Sequence, residues 1–358
     1  MRSLVVAIVA TGLVCFSADG WAGEKLVYAV AHKGSDYQVE KTELFSVDPE
    51  SGRWQLVFTD EDSPIVLLER LYVFHFPVAG GGRVFAHAAR RGESVPFPGN
   101  ADLYELTIDG SGSFKTIAPA SGDESLGEIF VNTAGTRIGY LNLLNQKRYI
   151  FIYDAATGKL MDQVDVTDIF LDCYASGIGW LCGADTLFYS LDTGDVHVTS
   201  EESYDAVGTY LMDESGENVR RLDPVPIPSG YQAAESVRMI GSLPTGRYVF
   251  EMMLAPKLPA GPGAGSSFTV VRWKPGSDSV DDIGFSQASR LYSGVRVEYR
   301  LSPSGRYLAA AALPISSSAV TGDIWLKDLE SGGERKLVSI PANGLQGPFL
   351  GLAGWVDR

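Results

Sequence analysis

Short runs of alternating apolar and polar residues, each closed by a Gly-containing or Asp-containing turn, fill this chain from about residue 23 to its end. A period of two is the mark of half-buried β-strands, and no sustained 3.6-residue apolar pattern competes with it. One arrangement returns again and again: an apolar strand, a turn opened by Asp, and a second strand. It reads ELFSVDPESGRWQLV from Glu43, DLYELTIDGSGSFKTI from Asp102, YIFIYDAATGKLMDQV from Tyr149, GTYLMDESGENVRRL from Gly208, SFTVVRWKPGSDSVDDI from Ser267 and DIWLKDLESGGERKL from Asp323. The intervals between starts are 59, 47, 59, 59 and 56 residues, each long enough for four strands with their connections. Repeats of this size predict a propeller, solenoid or array, and six of them fall within the range of about 4–8 blades that propellers use.

The expected fold is therefore all-β: a six-bladed β-propeller of four-stranded antiparallel blades. Seven blades are the alternative, if TLFYSLDTGDVHVT forms the hairpin of an extra, shortened unit. The two ends of the chain bear on closure. GLAGWVDR at the C-terminus parallels GIGWLCGAD at Gly177–Asp185 and has no strand after it, whereas GEKLVYAV near the start looks like a second strand without its first. Pairing these segments would build one blade from both ends and remove two open sheet edges.

Turn chemistry agrees with this reading. Gly82, Gly135, Gly246 and Gly305 stand where tight turns between the first and second strands demand positive φ. The acids that open the other hairpin, Asp48, Asp109, Asp154, Asp213 and Asp328, are suited to accept backbone N–H groups two residues on.

YLMDESGENVRRL at Tyr210–Leu222, LSPSGRYLAAAA at Leu301 and DIWLKDLESGG at Asp323 together resemble the repeat of TolB-type propellers, which is also used by prolyl-oligopeptidase relatives. The resemblance spans nearly the whole chain as repeat rhythm and implies six blades. It departs from the TolB pattern at the start, where no α/β domain is expected ahead of the first repeat. It departs from the peptidases in lacking a G-x-S-x-G nucleophile elbow.

Composition narrows the compartment and the partners. Residues 1–22 combine a basic start, an apolar run and small residues at Gly20 and Ala22, the pattern of a secretory signal peptide. The expected organisation is thus a signal peptide at 1–22 and a single propeller domain at 23–358, periplasmic or secreted. No later stretch approaches the ~20 apolar residues of a membrane-spanning helix. The net charge of −15 and the lack of a Lys/Arg stripe argue against a nucleic-acid partner.

Recognisable chemistry is sparse. His32, His75, His87 and His197 lie in different repeats without metal-ligand spacing, and the acidic runs TDEDSP and SDSVDD lack the order of a calcium loop, so no metal and no cofactor is expected. GPGAGSS at Gly261 lacks the strand-to-helix setting of a phosphate loop. Cys15 departs with the signal peptide and leaves Cys173 and Cys182 as an even pair in an oxidising compartment. If DCYASGIGWLC turns at Gly177-Ile178, the two cysteines face each other with Cα atoms ~4.5 Å apart, within reach of a disulfide. If it is a connector, the bond would pin connector to blade, and a redox-active pair is the other reading.

The connections between second and third strands are long and unlike one another, and on a rigid scaffold such loops carry function. His32, Tyr37, Arg90, Arg91, Phe97, His197, Tyr204 and Lys257 are the candidate binding residues on that face. The expected function is an exported non-catalytic propeller that binds a protein or peptide partner around the central channel. The alternatives are a hydrolase or lactonase-like enzyme with a metal site at the channel mouth, and a non-catalytic subunit of a periplasmic redox complex.

Overall fold

The computed structural model describes residues 23–33, 39–67, 78–79, 82–91, 102–108, 111–118, 124–132, 135–145, 147–165, 167, 187–189, 195–198, 208–211, 220–221, 225–243, 245–256, 267–286, 295–314, 321–341 and 349–356. They form a β-propeller whose strands follow the predicted alternation. The first blade holds β1 (Lys25–Lys33), β2 (Val39–Val47) and β3 (Trp54–Thr59). The next sheet holds β4 (Ile65–Leu67), β5 (Val78–Ala79), β6 (Arg83–Arg90), β7 (Asp102–Thr107) and β8 (Phe114–Ala118). Then come β9 (Glu124–Val131), β10 (Arg137–Leu144), β11 (Lys147–Asp154) and β12 (Leu160–Asp165). They are followed by β13 (Leu187–Tyr189), β14 (Asp195–Val198), β15 (Gly208–Leu211) and β16 (Arg220–Arg221). The next sheet is β17 (Tyr231–Ser242), β18 (Tyr248–Pro256), β19 (Ser267–Trp273) and β20 (Asp281–Asp282). The last is β21 (Val295–Leu301), β22 (Tyr307–Pro314), β23 (Thr321–Asp328) and β24 (Glu334–Pro341), after which β25 (Phe349–Val356) returns to the first blade in the order β25-β1-β2-β3.

Closure runs as the ends of the sequence suggested. Leu26 pairs with Trp355, Val27 with Gly354 and Ala31 with Phe349, antiparallel, with a bulge between Val27 and Tyr28. The C-terminal strand is thus the inner strand of a blade whose other three strands come from the opposite end of the chain.

Blade composition departs from expectation in two ways. Five sheets are four-stranded antiparallel blades rather than six or seven; the remaining sheet has five strands, because β4 and β5 both pair with β6. Ile65–Leu67 takes Ala88–Arg90, and Val78–Ala79 takes Arg83 and Val84, so the inner position of that sheet is split between two short strands. The second departure disposes of the extra unit. Leu187–Tyr189 and Asp195–Val198 do form a hairpin, but β15 and β16 continue the same sheet, so this hairpin is the first half of an ordinary blade. DVHV was expected inside a loop. It pairs instead with Leu187–Tyr189 on one edge and Gly208–Leu211 on the other.

Second strands carry the core because both of their faces meet a neighbouring sheet. In β1, Val27, Ala29 and Ala31 pack with Leu67, Val84 and Ala86, while Leu26, Tyr28 and Val30 pack with Tyr307, Ala309 and Leu326. All six β1 residues are buried. A fully buried Val or Leu contributes about 1.5–3 kcal/mol, so one strand sewn into two interfaces is a large stabilising element. The outer strands lack that second partner, and Trp54 on β3 and Met161 on β12 remain 63% and 52% exposed.

The Asp turns repeat in atomic detail. Asp48, Asp154 and Asp328 each accept side-chain-directed N–H bonds from the following residues: Ser51 N at 2.7 Å, Thr157 N at 2.8 Å and Glu330 N at 2.9 Å. In each turn the glycine four residues on donates to the Asp carbonyl, with φ of 71° at Gly52, 67° at Gly158 and 73° at Gly332. Beyond steric space, Gly158 is required by contact: a Cβ there would stand 2.6 Å from the Ile117 carbonyl oxygen. Asp109 and Asp213 lie outside the described residues.

Candidate functional site on the loop face

Antiparallel alternation sends the β1–β2, β3–β4 and β6–β7 connections to one face, and there two neighbouring sheets gather a group of charged side chains. His32, near the end of β1, places Nε2 2.7 Å from Glu43 Oε2. Lys41 Nζ donates to Glu43 Oε1 at 3.0 Å and to Glu61 Oε2 at 3.3 Å. The strand period explains the meeting: Lys41 and Glu43 are two apart on β2 and share a face, and His32 pairs with Lys41 across the β1–β2 ladder. The hydrogen bond from His32 is the largest influence on Glu43 and, with that of Lys41, holds its carboxyl below the usual carboxylate range against the opposing effect of burial. Burial draws the Lys41 ammonium down, but the bonds and charges of Glu43 and then Glu61 outweigh it and leave the pKa raised.

Beneath this group sits Asp60, fully buried. Its Oδ1 accepts Thr42 N at 2.6 Å and its Oδ2 accepts Leu67 N at 3.0 Å, so one carboxylate ties β2 of one blade to β4 of the next. Arg91 reaches the same spot from the end of β6: Nη2 donates to the Asp60 carbonyl and Nε to the Ser63 carbonyl at 2.9 Å. Desolvation dominates at Asp60 and raises its pKa despite the two N–H donors. The seam supports this corner, and His32, Lys41 and Glu61 form its more exposed edge.

Of the residues singled out from sequence, His32, Arg90 and Arg91 come to this corner, since Arg90 ends β6 and pairs with Ile65. Arg91 serves as a brace across the seam. His197 falls in β14 opposite Phe188 and Thr209, in a strand and not in a loop. Tyr37, Phe97, Tyr204 and Lys257, the Cys173–Cys182 pair and the signal segment 1–22 lie outside the described residues. Lys41, Glu43, Asp60 and Glu61 were not anticipated. The signal for the first two was available in their spacing on a strand; Asp60 stands in the acidic run TDEDSP, where nothing separates it from Glu61 and Asp62.

Among the described residues no group of three His, Cys, Asp or Glu side chains converges as a metal-binding set. Among them, too, no helix is long and apolar enough to cross a membrane.

No family model matches the chain, and no curated protein does. Solved structures do resemble it. TolB from Acinetobacter baumannii aligns with a TM-score of 0.52 at 12% identity, over 92% of this chain and 67% of that one. A nidogen/laminin complex aligns at 0.48 and 10% identity, over 93% and 98% of the two chains. The β-propeller domain of the Trilobed protease from Pyrococcus furiosus aligns at 0.46 and 8%, over 88% and 80%. At such identities the TolB likeness concerns the propeller fold alone.

Proposed function

We propose that this chain is an exported, non-catalytic propeller that binds a protein or peptide partner through the loop face, with the five-stranded sheet completing a ring of six blades. The observation that carries this reading is the loop-face corner built by two neighbouring sheets: charged groups from β1, β2, the β3–β4 connection and β6 are brought together over a buried Asp60 brace. Paired charges on a preorganised rim serve specificity and encounter rate more than raw affinity, and the varied connections emerging beside them supply adaptable contact surface. Export follows from the signal-like segment at 1–22. Cys173 and Cys182 are proposed to be oxidised there, and Tyr37, Phe97, Tyr204 and Lys257 to widen the same binding face.

Affinity capture from an envelope extract tests the reading, using the chain from residue 23 onward as bait. Charge reversal on the loop face, Glu61→Lys with Arg90→Glu, is expected to lower recovery of the partner at least tenfold, while Glu330→Lys on the opposite face leaves recovery unchanged. Equal recovery by all three proteins, or substrate turnover by purified protein that retains no partner, would overturn it.

A further inference from the structure

On the opposite, turn-bearing face, a cavity of about 330 Å³ opens where the last blade meets the first. It lies at the low end of the ~300–1,000 Å³ typical of small-ligand pockets. Its walls come from the β2–β3 turn, from the start of β22 and from the β23–β24 turn, and its apolar part is Pro49, Tyr307 and Leu326. Tyr307 is fixed from both sides, by the Arg306 guanidinium 4.7 Å from its ring centroid and by Trp355 stacked at 5.7 Å.

The charges around this cavity are unequally committed. Asp328 is taken up by Glu330 N, Ser331 N and two nitrogens of Arg306. Glu334 is taken up by Lys327 at 3.0 Å and by the backbone and hydroxyl of Ser286. Two opposite charges are left with capacity to spare. Glu50 is 71% exposed and, among the described residues, only Oε1 of its carboxylate is engaged, by Arg306 Nη1 at 3.3 Å and Tyr307 Oη at 3.4 Å. Arg335 donates Nη1 to the Glu50 carbonyl oxygen at 3.0 Å and forms no ion pair among the described residues. One nitrogen anchors its fork to the rim, and no carboxylate among the described residues pairs with its charge. A carboxylate suits such a planar, pre-set donor.

Local charge decides between an anion and a zwitterion. Glu50, Asp328, Glu330 and Glu334 outnumber Arg306, Lys327 and Arg335 around the cavity, on a chain of net charge −15, so a purely anionic ligand meets a repulsive field. We propose that the cavity binds a small zwitterion, a free amino acid or dipeptide, with its carboxylate on Arg335, its ammonium on Glu50 and its apolar side chain against Pro49 and Leu326. This site is distinct from the loop face proposed for the partner, and either can fail without the other.

Isothermal titration of the chain from residue 23 onward with glycyl-leucine tests the proposal, alongside the same dipeptide capped as its C-terminal amide or its N-acetyl form. Binding of the free dipeptide is expected at about 1 mM or tighter, weakened at least tenfold by either cap. Arg335→Gln and Glu50→Gln, both at the cavity rim, are each expected to cost at least tenfold in affinity while circular dichroism shows the protein still folded. Absence of binding by the free dipeptide at millimolar concentration overturns the proposal, as does binding indifferent to the caps or to both substitutions.

Discussion

The composite first blade has two flanks, and they are held in different ways. Toward the next sheet the seam is mainly apolar, with Val27, Ala29, Ala31, Leu44 and Phe58 meeting Leu67, Val84 and Ala86, and the chain itself passes directly from one side to the other. Toward the last blade no such passage exists on the β1–β3 side, and polar bonds between distant residues accompany the apolar packing. Glu24 accepts both the backbone N–H (2.6 Å) and the hydroxyl (2.7 Å) of Ser304, residues 280 apart. Arg306 reaches Glu50, the buried Glu298 accepts Leu352 N at 2.9 Å, and Trp355 Nε1 donates to the Arg300 carbonyl at 3.2 Å. The chain crosses to the first blade only through β25, so β1–β3 have no backbone link of their own to the last blade, and directional hydrogen bonds help set their register against it. Non-directional burial alone would leave them free to slide.

Trp355→Ala is the strongest way to break the contrast. It removes a buried ring that stacks on Tyr307 and anchors β25, and about 3–5 kcal/mol of stability should be lost in denaturant unfolding, the usual cost of such a truncation. A loss under about 1 kcal/mol would mean that the closing strand is not a main support.

The other flank is probed by Asp60→Ala, which strands the N–H groups of Thr42 and Leu67 in a buried seam. At roughly 1–3 kcal/mol for each orphaned donor, a loss of about 2–6 kcal/mol is expected. Its pH dependence has a definite sign. Because the folded state raises the Asp60 pKa, the carboxyl's linked contribution is fully present below the ordinary value of about 4 and declines as pH rises through the raised one. The gap between wild type and variant should therefore be widest in acid and narrow toward neutrality, as unfolding curves at several pH values will show.

Glu24→Ala sharpens the comparison at its small end. Ser304 lies at the surface and regains water as a partner, so about 0.5–1.5 kcal/mol should be lost. Hydrogen exchange should report that loss at the 302–306 turn before any change in the β3–β4 region.

Much of this fold could be read from residue pattern. The six strand–turn–strand repeats all appear as adjacent outer strands, from β2–β3 through β23–β24, and at the described turns Asp48, Asp154 and Asp328 take the predicted part. Alternation and turn chemistry are local, so they survive folding unchanged. The β13–β14 hairpin misled because LFY and DVHV are too short for their pattern to separate a strand pair from a loop. The site was less legible. His32, Arg90 and Arg91 were noticed as polar residues flanking long connections, but nothing along the chain tells that Asp60 would slip beneath Thr42 or that Arg91 would reach back to it.

By itself, the sequence determined that short strands alternate and where the Asp-opened hairpins at Asp48, Asp154 and Asp328 turn, because these depend on neighbours within a few residues. Tertiary structure alone decided that one sheet divides its inner position between β4 and β5, that Glu50 and Arg335 share the rim of one cavity, and that Asp60 ties two sheets together. Such outcomes depend on how blades stack around the axis, a geometry in which residues hundreds of positions apart compete for the same few ångströms.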